Sequence, residues 1–153
     1  MLRRFDPAVF IVALLIATVP VTADSVPVIE GHIAGVELCP QSICGSAIFT
    51  GQFTGQVNGR PERGVFLGAI THDSLPEPSE SAFITGGLWV IRTPRRVLTG
   101  YVMPGGTLTN NGDNTFTVDM TMVLLRGGVG TLHFTGLLNH TPFPPTIIGT
   151  VSQ

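Results

Sequence analysis

Lysine is absent from this 153-residue chain; all eight of its basic side chains are arginines. Charge of either sign is scarce, at 12% of residues, and there are only two cysteines, one tryptophan and one tyrosine. Each shortage excludes something. Past residue 23, six arginines face nine acids, a net −3 that argues against general nucleic-acid binding. No Cys-x-x-Cys is present, and no His or Cys lies at zinc-finger spacing, so neither a redox dithiol nor a zinc module is indicated. There is no Gly-x-Ser-x-Gly elbow to raise a nucleophilic serine. After the N-terminal apolar run no stretch has the 3.6-residue period of an amphipathic helix, which excludes a helical domain.

What is present comes in two parts. Arg3 and Arg4 precede the apolar run Ala8 to Val19; Pro20 ends it, and Val21-Thr22-Ala23 follows. Basic, apolar and small-residue zones in that order mark a secretory signal peptide, residues 1–23. The run lies between Asp6 and Pro20, short of the ~20 apolar residues that a spanning helix needs. The expectation is therefore a secreted or periplasmic protein with no transmembrane span after cleavage. Residues 24–153 are then one domain, large enough for a core of its own.

That domain reads with a period of two. Phe49, Phe53 and Val57 alternate with Thr50, Gln52, Thr54 and Gln56. Phe116, Val118, Met120, Met122 and Leu124 alternate with threonines and Asp119, while Leu132, Phe134 and Leu138 lie opposite Thr131, His133 and Thr135. Such alternation means strands buried on one face and wet on the other. About eight strands are predicted, with a closing segment at 146–151, separated by turns such as Asn58-Gly59 and Arg126-Gly127-Gly128. Short connections favour a single antiparallel meander. The apolar faces must be buried together, which predicts an all-β fold closing into a small barrel, with a sandwich as the alternative.

The run Gly127-Gly128-Val129-Gly130-Thr131-Leu132-His133-Phe134, with Gly149-Thr150-Val151, resembles the Gly-rich turn and strand of exported bacterial barrels related in fold to allene oxide cyclase. The resemblance implies an eight-stranded meander with an interior cavity. It brings no catalytic constellation with it, so it speaks to fold rather than function.

Cys39 and Cys44 stand in Cys-Pro-Gln-Ser-Ile-Cys, and in an oxidising compartment they are expected to pair; free thiols are the alternative. The inward set Phe49, Phe53, Phe116, Met120, Met122 and Phe134 is the candidate lining of an interior pocket, and serves equally well as plain core. His32, His72, His133 and His140 form no local catalytic pattern. The polar stretch 72–81 reads as an exposed loop rather than a calcium site, and Arg92, Arg95 and Arg96 as a solvated turn. No cofactor, metal ligand or catalytic residue is singled out. The functional expectation is a non-catalytic exported barrel, either a binder of an apolar small molecule or a structural module with an envelope or extracellular partner. The alternative is an enzyme whose site is assembled from scattered polar residues.

Overall fold

The computed structural model describes residues 28–153, so the signal peptide expected at 1–23 lies outside the described residues. Nine strands follow one another: β1 (Ile29–Cys39), β2 (Ala47–Val57), β3 (Arg60–His72), β4 (Ser81–Arg92), β5 (Val97–Val102), β6 (Thr107–Asn110), β7 (Thr115–Arg126), β8 (Gly130–Asn139) and β9 (Thr146–Ser152). A single four-residue helix, α1 (Gln41–Cys44), interrupts them between β1 and β2. Every pairing is antiparallel, and the sheet closes on itself through β3–β4 and β1–β9. The fold is thus an eight-stranded meander barrel with one extra strand.

The extra strand is β6, and its register explains it. β5 pairs with Gly87–Arg92 of β4, and β6 then pairs with Ser81–Phe83 of the same strand. On the other side β5 lies along the end of β7 and β6 along its beginning. The two are consecutive lengths of one stave, broken at Met103-Pro104-Gly105-Gly106. Proline has no N–H to give a ladder, and Gly105 adopts a φ of 104°, so this stretch cannot continue a regular strand. The break is bridged by the Gly105 N–H to Ile84 O and the Met103 N–H to Thr121 O, both 2.9 Å.

Inward side chains pack the barrel over most of its length. Phe53, Phe134, Trp89, Met120 and Met122 are at most 2% exposed, as expected where eight strands enclose a bore that side chains can fill. The inward register of β7 is the alternating one: Phe116, Val118, Met120, Met122 and Leu124 are all buried, while Thr117 is exposed. Large rings fit because glycines oppose them. Gly136 of β8 pairs with Gly149 of β9, and a Cβ on either would stand 2.6 or 2.5 Å from Cζ of Phe134. The ring occupies the space that two side chains would otherwise take, and the two strands approach beneath it. The β2–β3 hairpin turns on Asn58 and Gly59, both at positive φ, as an Asn-Gly pair predicts.

The two ends of the barrel differ. At the end formed by the β2–β3, β4–β5 and β7–β8 turns, Glu62 points inward, is almost fully buried, and faces Arg96 at 3.4 Å. Neither Glu62 Oε1 nor Arg96 Nε has a well-directed hydrogen bond, so the pair is held by charge and closes that end. The opposite end is open.

Candidate functional site

At the open end the core gives way to a cavity of about 310 Å³, the low end of the range for small-molecule sites. Its walls are apolar: Phe49 of β2, Ile70 of β3, Ile84 of β4, Leu108 of β6, and Phe116 and Leu138 of β7 and β8. Two segments form the rim. One is the loop around α1, contributing Pro40, Gln41 and Ser42; the other is the β3–β4 connection, contributing Ser74 and Leu75.

The loop around α1 is held at both ends. Cys39 and Cys44 are joined in a disulfide, with Cα atoms 6.1 Å apart, so the pairing expected from sequence is present. Gly45 terminates the helical turn at a φ of 73°, its N–H bonded to Gln41 O. The Gln41 amide then reaches across to the last residue of β3: Nε2 donates to His72 O, and Oε1 accepts from the His72 N–H, each at 2.8 Å. One side-chain amide thereby makes the two bonds that a neighbouring strand would have made, and fastens the loop over the cavity.

The polar chemistry of the cavity centres on Glu37. On β1 the inward positions run Ile29, Gly31, Ile33, Gly35 and Glu37, so the last of the series sends a carboxylate into the barrel; Glu37 is 5% exposed. Its Oε2 lies 3.1 Å from Nε2 of His140, which is about a third exposed. Burial raises the Glu37 carboxyl above its ordinary value, and the nearby His140 and the more distant His72 pull partly the other way. His140 is held by its own N–H to Asn114 O at 2.9 Å, and its ring tilts against Phe116 with centroids 5.0 Å apart. The pair forms a partition, since Glu37 and His140 also border a second depression lined by Phe143, Pro144 and Pro145. Chemically, the arrangement offers an apolar chamber with one hydrogen-bonding, proton-exchanging corner.

Of the six candidate lining residues, Phe49 and Phe116 border the cavity. Phe53, Met120, Met122 and Phe134 lie deeper and belong to the packed core. The candidate lining left out Glu37, Gln41, Leu108 and Leu138, although alternation places Leu138 on the apolar face of its strand. The parity of β1 carries a signal for Glu37, since it stands four residues after Ile33 and eight after Ile29. No local pattern marks Gln41, whose role exists only because β3 ends beside it. The histidines separate by wall: His72 and His140 line the cavity, His32 is exposed on the outside of β1, and His133 meets Asp119 at 3.0 Å on the outside of the barrel. In the 72–81 stretch Asp73 Oδ1 accepts from the Phe83 N–H and the Ser74 hydroxyl, so that loop is pinned to β4.

The chain matches no protein-family model, no curated protein and no solved structure. The closed barrel agrees with the fold that the resemblance to allene oxide cyclase relatives implied, and no comparison ties the chain to them. Among the described residues no helix is long and apolar enough to cross a membrane.

Proposed function

We propose that this protein binds a small amphipathic molecule, with the apolar body of the guest in the end cavity and its polar group against Glu37 and His140. The observation that carries the reading is the cavity itself, with apolar walls from six strands and the Glu37–His140 pair at its rim. A buried carboxyl already paired with a histidine gives a guest hydroxyl, carbonyl or amine both a donor and an acceptor. The disulfide supports a secreted or periplasmic setting, where such bonds persist. Kinship with exported barrels related in fold to allene oxide cyclase is part of the same proposal. It rests on the closed meander and the Gly-rich β7–β8 turn.

The test is ligand capture. Protein isolated from its own source is examined by native mass spectrometry, and an environment-sensitive apolar fluorophore is titrated into it. Leu138→Trp, which fills the chamber from one wall, should abolish fluorophore binding while the near-ultraviolet spectrum of Trp89 is retained. Absence of any co-purified molecule, with fluorophore binding unchanged in Leu138→Trp, would eliminate the pocket.

One observation favours a second reading, an acid–base enzyme. A carboxyl raised by burial and a histidine at hydrogen-bond distance, both in a cleft, are the groups from which proton transfer is built. In that case turnover of a captured ligand would vanish in Glu37→Gln while its binding survived.

A further inference from the structure

The outside of the barrel has two unlike halves. On β8, β9, β1 and β2 the outward positions are largely Thr, Gln, His and Glu, interrupted by Leu38, Leu137 and Ile148. On β3, β4 and β5 they are more apolar: Val65 is 50% exposed, Leu67 48%, Leu88 67% and Tyr101 38%. The end of β7 adds Val123 and Leu125, the latter at 66%, its other outward positions being Thr115, Thr117, Asp119 and Thr121. Register makes these one surface rather than scattered exceptions. Leu88 sits between Ala69 and Tyr101, Tyr101 pairs with Val123, and Leu67 pairs with Val90. Three strands and the end of a fourth, about 4.8 Å apart and some seven residues long, present an area on the order of 400 Å², in the range of the largest apolar patch on a monomer, which is often functional.

Charge frames that face unevenly along the barrel axis. All six described arginines lie at the closed end: Arg60 and Arg63 open β3, Arg92 ends β4, Arg95 and Arg96 form the next turn, and Arg126 ends β7. At the open end the exposed charges are acidic: Asp73, Glu77 and Glu80 in the β3–β4 connection, and Asp113 in the β6–β7 turn. The face thus carries cations at one end, anions at the other, and apolar side chains between them.

We infer that this face docks a second copy of the same chain in antiparallel orientation, with the two-fold axis near Leu88. Rotation by half a turn about an axis lying in the plane of the face and perpendicular to the barrel axis lays each arginine end against the partner's acidic end. Both charge contacts are then favourable at once, as an isologous interface requires. A parallel arrangement would bring arginines against arginines and acids against acids. An anionic lipid surface would attract one end of the face and repel the other.

Sedimentation velocity on the full chain as isolated, from 1 to 100 µM, tests this. A concentration-dependent dimer is expected, and Leu88→Glu should leave only monomer with an unchanged circular dichroism spectrum. Leu88→Cys should form a disulfide-linked dimer on mild oxidation, because a residue near a two-fold axis meets its own copy. The direction of docking is read by charge reversal. Arg63→Glu/Arg92→Glu and Glu77→Arg/Glu80→Arg should each weaken the dimer by about tenfold or more, and the fourfold variant carrying both reversals should recover it. Monomer throughout the range, a higher oligomer, failure of the combined reversal to restore association, or a monomer that floats with phosphatidylglycerol vesicles would each overturn the inference.

Discussion

Replacing His140 with alanine leaves Glu37 buried without its partner, and the cost can be worked from the geometry. When both groups are ionised, unit charges 3.1 Å apart attract by about 5 kcal/mol at an effective dielectric of 20 and by about 1 kcal/mol at that of water; with a neutral imidazole only the hydrogen bond remains. With His140 about a third exposed, screening pulls the figure toward the lower end. A hydrogen bond to a charged group contributes ~1.5–3 kcal/mol by itself. We therefore expect His140→Ala to cost about 2 kcal/mol at pH 7. The penalty should depend on pH in a known direction. Burial holds the Glu37 carboxyl above its ordinary 4.5 in the folded state. Between that value and the raised one the folded protein binds more protons than the unfolded chain, so Glu37 contributes stability at low pH that is lost as pH rises. Removing His140 removes a group that lowers the carboxyl, so the fall with pH should steepen, and the penalty should shrink as pH drops toward 4.5 and Glu37 takes up a proton. Adding Glu37→Gln abolishes the charge and should recover most of the loss at pH 7. Urea melts of the wild type, the single variants and the double variant at pH 4.5 and pH 7 decide the matter. A His140→Ala penalty equal at both pH values, and untouched by Glu37→Gln, would refute a charged, buried Glu37.

Other outcomes follow from the core, the loop and the N-terminus. Met120→Asp should destabilise by several kcal/mol, on the order of 4, because position 120 is 2% exposed and the new charge has no partner; Thr117→Asp on the opposite face should be near neutral in the same denaturant melts. Reducing Cys39–Cys44, or replacing both with serine, should cost about 2 kcal/mol by loop entropy and should weaken fluorophore binding more than the stability loss alone explains, since the loop walls the cavity. Gly149→Ala should cost roughly 1–3 kcal/mol through overpacking against Phe134, and less in a Phe134→Leu background, which thermal melts of the four-member cycle can resolve. Intact-mass analysis of exported protein should find a chain starting at Asp24; a species keeping residues 1–23 would exclude cleavage there.

How much of this was legible in residue order varies from element to element. The β7 register, from Phe116 to Leu124, follows from alternation alone, because a strand with one wet face must send every second side chain inward. The Asn58-Gly59 hairpin is equally local, since few other pairs accept positive φ at both positions. The Cys39–Cys44 bridge is expected from short spacing together with the oxidising compartment that a signal peptide would imply. The same patterning left two ways to bury the apolar faces, a barrel or a sandwich, with the need to protect edges favouring the barrel; strand pairing in the tertiary structure decided for the barrel. Tertiary structure decided the rest, and it did so wherever contacts are distant in sequence. Whether Phe49 and Phe116 line a chamber while Phe53 and Phe134 fill a core depends on depth along the barrel axis. Alternation reports which face a residue is on and nothing about that depth. Glu37 meets His140 across 103 positions because β1 and the β8–β9 connection end at the same rim. Gln41 holds His72 because the disulfide loop folds over the end of β3. The division of the outer wall into an apolar and a polar half likewise appears only when the sheet closes. Until then Leu67, Leu88, Tyr101 and Leu125 are isolated exposed side chains on separate strands, and it is strand order and register that make them one surface.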